Sequence, residues 1–428
     1  MDWRQLVGIP RFAALAALTL PIGLTGCSSD GSAVPGEAPA VEAPGPVPAP
    51  DPVSDGSGEA AAAEPPEQQE SVPGEASPRL PIERNEEMEA RAAPMIEGIS
   101  RGRFARDAVN AENAEVFTYL AGTRTPAEDE LLVAALQAML DTHSAAAASN
   151  RRAVDEDFVR VSIHHSRCDH GAVAQIAIRT LATAISGSEP DPAALARAVE
   201  IANDHPSPAG RSAGIDALGR MRSLDGLPEA AAAFLKAMDA DEAYVVSNAL
   251  FRVNLRANSA PNRDALRSRA IELIAHDDPG VRGRAVQVLA TLSSRDAEMT
   301  QEAAALIMPR LKDDHPFVQS CACAALAFMD YQPGIHAMVE MVDDMTRNTY
   351  DITGWQRLDG SPGRLHHDGS AWSRTSDAAI TAIRGMSRRI GEPFEVKIIP
   401  REAEASLVEA AAVAKAWYES NKDKIPNE

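Results

Sequence analysis

The 428-residue sequence has few aromatic residues and few cysteines. Phe, Trp and Tyr make up 4% of it, whereas apolar residues together make up 45%, much of it alanine. This balance favours close-packed helices with short side chains over a β-sandwich or the core of an α/β enzyme. Two of the 4 cysteines, Cys321 and Cys323, are two residues apart on a predicted helix. Their side chains diverge by about 200°, so they cannot bridge each other, and no disulfide framework is indicated.

Positive charge is also scarce, and no catalytic motif is present. The chain has 41 Lys and Arg against 62 Asp and Glu, a formal net charge of -21. Because nucleic acids are bound through Lys and Arg, we expect no nucleic-acid partner. The sequence has no Gly-rich phosphate loop, no Gly-x-Ser-x-Gly elbow and no His-Glu-x-x-His helix. We therefore predict that the chain is not an enzyme and uses no cofactor.

The first 27 residues have the features of a targeting segment. Arg4 and Arg11 give a positive start, and the apolar run from Phe12 to Leu24 is too short for a permanent transmembrane helix. The run ends in Leu24-Thr25-Gly26-Cys27, which resembles the lipobox of bacterial lipoproteins. An ordinary secretory signal peptide with an accidental cysteine is the alternative interpretation.

The lipobox resemblance implies a location and an anchor. Residues 1–26 would be a signal peptide, and Cys27 would be the lipid-attachment residue at the new N-terminus. Two or more acyl chains on that residue would hold the protein on a membrane of the bacterial cell envelope, facing the periplasm or the surface. Ser28 follows the cysteine, which favours the outer membrane.

Residues 27–80 are composed of Pro, Ala, Gly and Glu with hardly an aliphatic side chain. Such a segment cannot bury enough apolar area to offset the entropy of ordering. We predict a disordered, extended stalk. Residues 81–149 are predicted to be helical without a clear repeat, and we interpret them as an N-terminal cap.

A ten-residue apolar pattern recurs beyond this region at intervals of 35 to 37 residues. In the clearest copy Asp278 can cap a helix that begins with Pro279, and Val281, Ala285 and Leu289 fall on one helical face. A fixed period of this length predicts stacked helical hairpins. The copies begin at Val173, Gly210, Val245, Val281 and Val318.

These residues carry a resemblance to a known family. Asp277 to Ala290 reads Asp-x-Pro-x-Val-Arg-x-x-Ala-x-x-x-Leu followed by a small residue, which resembles the second helix of a HEAT-type repeat. The segment from His315 to Ala327 is similar, with Gln319 in place of Arg. The resemblance implies that residues 150–428 form an all-α, right-handed α-solenoid of HEAT-like hairpins. Such repeats are scaffolds whose partners vary, so no particular activity is implied.

The solenoid is predicted to contain six first helices, one insertion and a closing helix. The closing helix is predicted over Arg401–Lys422, and a last second helix over Ser376–Arg389. The insertion at residues 346–375 interrupts the repeat and contains Trp355 and Trp372, two of only 4 tryptophans. The six first helices are predicted over Arg151–Ile163, Asp191–Asn203, Pro228–Met238, Arg263–Ala275, Ala297–Lys312 and Gly334–Met345.

Two interpretations of the insertion remain open. It is either a protein-binding loop that uses Trp355 and Trp372 or a lid that packs against the last hairpins. His366, His367 and Asp368 also lie in it, but adjacent histidines in an extended loop point to opposite sides, which disfavours joint binding of a metal.

Other titratable residues have a structural interpretation. His164, His165, Cys168, Asp169 and His170 match no zinc-site spacing and fall in an inter-helix turn, so we assign no metal site. His205, His276 and His315 recur before second helices, which indicates turn capping and not a pH-sensitive row. Arg211 and Arg282 occupy equivalent positions and are expected to pair with turn carboxylates such as Asp241 or Asp278.

The sequence therefore predicts a lipid-anchored HEAT-like scaffold for protein–protein interactions in the cell envelope, with an unknown protein or peptide partner. The alternative hypothesis is a ligand or metal receptor, or a cryptic enzyme, centred on residues 346–375. The partner, the process and the oligomeric state do not follow from the sequence.

Overall fold

A computed structural model describes residues 80–101, 113–148, 156–254, 256–348, 356–362, 374–396 and 404–427. Across these residues the chain forms sixteen α-helices, with short 3₁₀ segments and two isolated β-bridges. The predicted all-α class is therefore confirmed. The predicted signal peptide and Cys27 lie outside the described residues, as does the stalk except for Leu80. None of the helices in the described part is long and apolar enough to cross a membrane.

The sixteen helices follow one another with short connections, apart from the insertion before α15. The first eight are α1 (Glu86–Ser100), α2 (Ala114–Thr123), α3 (Asp129–Ala148), α4 (Glu156–His165), α5 (Gly171–Ala184), α6 (Pro192–Asp204), α7 (Pro208–Leu218) and α8 (Pro228–Met238). The last eight are α9 (Ala243–Asn254), α10 (Arg263–Leu273), α11 (Pro279–Ser293), α12 (Ala297–Ile307), α13 (Pro316–Phe328), α14 (Gly334–Met338), α15 (Thr375–Ile390) and α16 (Glu404–Asn421).

Helices α2 to α15 pair into consecutive hairpins. The second helices α3, α5, α7, α9, α11, α13 and α15 pack side by side in one row, and the first helices α4, α6, α8 and α10 pack in another. At the ends, α1 packs on α2 and α3, and α16 packs on α15. Each hairpin buries its apolar face only against its neighbours, which is the organisation of an α-solenoid.

The helix beginning at Pro279 shows why these residues form this repeat. Asp278 has extended backbone angles, and its carboxylate accepts a hydrogen bond from the N–H of Val281 at 3.0 Å, which caps the helix. The predicted apolar face is fully buried. Burial of such faces along the whole row produces one continuous core.

Small residues allow the helices to approach closely. A Cβ added at Gly214 would lie 2.4 Å from the backbone nitrogen of Ala202, so α6 and α7 touch through their backbones. Between two hairpins, a Cβ added at Gly283 of α11 would lie 2.6 Å from the ring of Phe317 in α13. The alanine- and glycine-rich composition therefore reflects tight packing within and between hairpins.

Two first helices depart most from the sequence prediction, because each changes from an α-helix to a 3₁₀ segment, whereas others shift only at their ends. The span predicted over Ala297–Lys312 is α-helical only to Ile307 and continues as a 3₁₀ segment over Met308–Lys312, where Pro309 cannot donate to the helical ladder. The span predicted over Gly334–Met345 is α-helical to Met338 and 3₁₀ over Val339–Met341. By contrast, Pro228–Met238 has the predicted bounds.

Candidate functional site

The insertion leaves and rejoins the stack at the N-terminus of α15. Arg347 and Arg374 form an antiparallel bridge there, and the N–H of Thr375 donates to the carbonyl of Thr346 at 3.2 Å. The Arg374 guanidinium also donates to the carbonyl of Met345 at 2.8 Å. The two ends of the insertion are therefore held together at this helix end.

The described middle of this loop, residues 356–362, is a tight turn that we call the tip. Gln356 and Pro362 form a second antiparallel bridge. Gly360 takes the left-handed conformation with φ of 75°. The Asp359 carboxylate accepts hydrogen bonds from the N–H and the hydroxyl of Ser361 at 2.9 and 2.6 Å. Burial raises the pKa of Asp359, but these two bonds outweigh it and leave the pKa below its usual value.

The tip contacts the N-terminus of α5, far away in the sequence. The N–H of Leu358 donates to the side-chain oxygen of Gln175 at 3.3 Å, between residues 183 positions apart. The carbonyl of Leu358 lies directly over Gly171, where an added Cβ would be 1.9 Å from its oxygen. Only glycine permits this approach, so the first residue of α5 is part of the contact.

This contact corrects one of the two interpretations of the insertion. A lid packed on the last hairpins was one alternative, but the tip packs on the hairpin of α4 and α5, near the other end of the row. Trp355 and Trp372, the predicted protein-binding residues, lie outside the described residues, as do His366, His367 and Asp368. The tip is connected directly to Trp355 through Gln356.

Sequence reasoning missed Gly171, Gln175 and Leu358, although one signal was present. The helices α7, α11 and α13 begin with proline, whereas α5 begins with Gly171. Proline is favoured at the first position of a helix, so its replacement by glycine indicates a special backbone requirement. The structure identifies that requirement as the carbonyl of Leu358.

The histidine and cysteine cluster before α5 does not converge. His165 is fully buried and donates from Nε2 to the carbonyl of Ala121 at 2.6 Å. Burial lowers the pKa of His165 to about 4, which keeps the ring neutral at physiological pH. His170 instead approaches Asp129 at 3.4 Å. Within the described ranges, no three His, Cys, Asp or Glu residues are arranged to hold a metal ion.

The repeated turn histidines bind their own backbone, as predicted. Nδ1 of His205, His276 and His315 accepts a hydrogen bond from the N–H two residues later, at 3.1, 2.9 and 3.1 Å. Burial lowers the pKa of His205 and of His315. A neutral ring is required because a protonated Nδ1 cannot accept these bonds. The capping interpretation is therefore confirmed for all three residues.

The turn arginines connect successive hairpins. Arg211 pairs with Glu242 at 2.8 Å, and Arg282 pairs with Asp313 and Asp314 at 2.7 Å each. The predicted ladder is confirmed, but the partners predicted for it were wrong. Each arginine reaches forward to the following turn, whereas Asp278 is occupied in capping its own helix.

The contacts of the turn arginines also show what Gln319, which stands at the equivalent position, retains and what it lacks. Arg211 and Arg282 donate from Nη1 to the carbonyl six residues earlier, at 3.3 and 3.1 Å. Gln319 makes the same bond, from Nε2 to the carbonyl of Asp313 at 2.7 Å. It carries no charge for the next turn, so the ion-pair ladder ends where the insertion begins.

These hairpins, their common helix row and their linked turns define a helical-repeat scaffold. Residues 267–349 match the family described as HEAT repeats. The match covers α11 to α14 and most of α10, and the remaining hairpins pack in the same two rows.

Comparison with solved structures returned matches at low sequence identity. A structure of Kap95p with RanGDP is 11% identical, with a TM-score of 0.45, over 80% of this chain and 46% of that one. Importin beta is 12% identical, with a TM-score of 0.45, over 79% and 47%. An engineered protein is 13% identical, with a TM-score of 0.33, over 78% and 96%. The chain thus spans about half the length of the two importin-type chains. No curated protein matches it.

Proposed function

We propose that this chain is a lipid-anchored HEAT-repeat scaffold that binds a protein or peptide partner in the bacterial cell envelope. The lipobox Leu24-Thr25-Gly26-Cys27 supports the anchor, and the Pro-rich stalk after it supports a spacer between membrane and repeats. The repeats provide a rigid surface. On this proposal the protein acts by binding and not by catalysis.

The observation that carries the binding role is the docked tip. The N-terminus of α5 already holds the backbone of the turn at Leu358, through the Gln175 side chain and the close approach of the Leu358 carbonyl to Gly171. A side-chain acceptor for a backbone N–H, next to a glycine that permits close approach, is an arrangement that can hold a chain segment from outside the helix row. The docked tip therefore supports a surface that accepts a chain segment, and Trp355 directly precedes the tip in the sequence.

The partner is tested by crosslinking in cells. A photoreactive amino acid is placed at position 355 or 372 of the full chain, and crosslinked proteins are identified by mass spectrometry. The matched control position is Val408, which is 56% exposed on the closing helix α16. We expect one protein to be captured from 355 and 372 but not from 408. Capture of the same proteins from all three positions would contradict a binding role for the insertion.

The anchor is tested separately, by metabolic labelling with an alkyne fatty acid. We expect label on the wild-type chain and on Cys168→Ser, and no label on Cys27→Ser. The wild-type chain should also enter the detergent phase on Triton X-114 partition, whereas Cys27→Ser should stay in the aqueous phase. Equal labelling of all three chains would refute Cys27 as the attachment residue.

A further inference from the structure

The tip is attached to α5 through a small contact. In the described ranges, the one hydrogen bond between them runs from the N–H of Leu358 to the side-chain oxygen of Gln175, at 3.3 Å. The Leu358 side chain is half-buried and packs against the core. Five of the seven residues from 356 to 362 are exposed. A loop that served to cover the core would bury more of its own side chains, so coverage alone does not account for this contact.

Three parts of Leu358 are used in docking. Its N–H donates to Gln175, its carbonyl lies over Gly171, and its side chain packs against the core. We call Gly171 and Gln175 together the α5 site. This site contacts the main chain on both sides of one residue, and only a residue with an apolar side chain gains from the packing that accompanies it.

The tip keeps its shape through hydrogen bonds of its own. The N–H of Arg357 donates to the carbonyl of Ser361, and the N–H of Gly360 donates to the carbonyl of Arg357, both at 2.9 Å. The Asp359 carboxylate closes the turn from inside. These bonds do not involve α5, so the turn can undock without losing one of them. A preformed turn also loses little conformational entropy when it docks, which suits it to act as a ligand.

The α5 site is likewise formed independently of the tip. Helix α5 packs on α3, α4, α6 and α7, and its residues Val173, Ile176 and Ala177 are part of the continuous core. Gly171 and Gln175 stay half-buried on its surface while the tip is docked. The site therefore persists when the tip leaves, and it then presents an amide acceptor beside a backbone without a side chain.

We infer that the α5 site binds a leucine-bearing turn of the protein partner, and that the tip is an internal occupant which this turn displaces. This inference rests on the proposed scaffold function and names the partner's chemistry. The insertion is held to the stack at both ends, so the tip competes at an effective concentration on the order of millimolar. One long hydrogen bond and one half-buried leucine form a contact weak enough to be exchanged.

The docked tip also indicates that this binding does not depend on charge. Gly171 and Gln175 are uncharged, and Arg357 and Asp359 together give the tip no net charge. The formal net charge of the chain is -21, but the contact uses no ion pair with it in the described ranges. We therefore expect binding at the α5 site to change little between low and high salt, unlike binding to a charged surface.

The test is fluorescence anisotropy with purified full-length protein and a fluorescein-labelled cyclic peptide of residues 356–362. The control peptide has alanine at the position of Leu358. In the protein, Leu358→Ala weakens docking of the tip and so frees the α5 site for the peptide. The wild type and Leu358→Ala are compared first.

Further changes are then made in the Leu358→Ala protein. Adding Gly171→Ala places a Cβ where the peptide carbonyl must lie. Adding Gln175→Ala removes the amide acceptor and introduces no new atom into the contact. The matched control is Gly385→Ala, because a Cβ added there has open space around it.

We expect Leu358→Ala to bind the peptide about tenfold more tightly than the wild type, which corresponds to a wild-type tip docked about nine-tenths of the time. Adding Gln175→Ala should weaken binding about fivefold, which is the usual effect of one neutral hydrogen bond. Adding Gly171→Ala should abolish binding, and adding Gly385→Ala should leave it unchanged. The alanine peptide should bind to none of these proteins.

Equal binding to the wild type and to Leu358→Ala would overturn the inference, as would binding that survives Gly171→Ala. Absence of binding to every protein, or equal binding of the alanine peptide, would overturn it as well. If Gly171→Ala lowers the helix content in circular dichroism, Gln175→Ala decides the test. A wild-type dimer in light scattering that Leu358→Ala dissociates would assign the α5 site to the tip of a second copy, and would overturn its assignment to a partner.

The inference and the proposed function can fail separately. If crosslinking in cells captures a partner, and neither Leu358→Ala nor Gly171→Ala changes that capture, the inference about the α5 site is wrong and the scaffold stands. If the peptide binds at the α5 site in competition with the tip but crosslinking captures no partner, the α5 site stands and the scaffold role in the envelope is wrong.

Discussion

The junction between the fifth and sixth hairpins should depend strongly on one arginine. Arg282 holds Asp313 with two hydrogen bonds, at 3.1 and 2.7 Å, and the Asp313 side chain is only 3% exposed. Arg282→Ala would leave this carboxylate buried with the N–H of His315 at 3.1 Å and a more distant Arg310 at 3.6 Å. Breaking a buried pair costs about 3–5 kcal/mol. The remaining partners reduce this, so we expect about 2–3 kcal/mol.

The equivalent change two hairpins earlier provides a matched control. Arg211 and Glu242 are 24% and 32% exposed and share one bond at 2.8 Å. Arg211→Ala should therefore cost about 1 kcal/mol or less, as expected of a partly solvated pair. Both variants lose the same side chain from the same turn position, so propensity and packing effects largely cancel in the comparison.

The assay is urea unfolding of the full chain with Cys27→Ser, together with hydrogen exchange. Because each hairpin contacts only its neighbours, the loss should be local. Faster exchange in α11 and α13 is expected for Arg282→Ala, with α5 and α7 unchanged. If Arg282→Ala costs no more than Arg211→Ala, burial of Asp313 does not have the energetic role argued for it.

The ion pair of Arg282 and Asp313 should also affect how the stability depends on pH in the acidic range. Burial raises the pKa of Asp313, but hydrogen bonds from the Arg282 guanidinium and from the N–H of His315 oppose it, and the folded-state pKa lies below the ordinary value. The stability from this group is therefore fully present above the ordinary pKa of an aspartate, about 4, and is lost as the pH falls through the lowered value. Arg282→Ala should show a weaker loss of stability over that acidic range than the wild type.

Three further predictions concern glycine packing and a buried histidine. Gly171→Ala should release the tip, which would be seen as faster hydrogen exchange or proteolysis at residues 356–362. The free energy of unfolding should change by less than about 0.5 kcal/mol. The control Gly385→Ala, which has open space around the added Cβ, should raise the free energy of unfolding by about 1 kcal/mol. Gly214→Ala should destabilise by about 2 kcal/mol in urea, because its Cβ would overlap Ala202. His165→Gln should flatten stability between pH 6.5 and 4, where the wild type loses about 3 kcal/mol because only the unfolded state is protonated. An unchanged tip, a neutral Gly214→Ala or an unchanged pH profile would contradict the respective argument.

The repeat architecture could be predicted because its determinants are local. Asp278 caps and Pro279 begins the helix that the turn chemistry indicated, and the predicted apolar face is buried. The bounds of α12 were less predictable, since the apolar pattern continued past Pro309 while the helical hydrogen bonds did not. Local signals therefore placed the hairpins well and some helix ends less well.

The surfaces formed between distant residues could not be predicted in the same way. Nothing local to Leu358 indicates that it contacts Gln175, because the contact depends on how the whole row is arranged. The partners of Arg211 and Arg282 required knowing that the side chains extend to the next turn.

The docked tip also gives the stack a mechanical property. In a linear array each hairpin contacts only its neighbours, so a pulling force passes from one hairpin to the next. The hydrogen bond from Leu358 to Gln175 adds a contact between residues that are far apart in the sequence, in addition to the contacts between neighbouring hairpins. This contact rests on a single hydrogen bond at 3.3 Å, which is weaker than the packed core. We therefore expect the contact between the tip and α5 to break at a smaller strain than the packing between two hairpins.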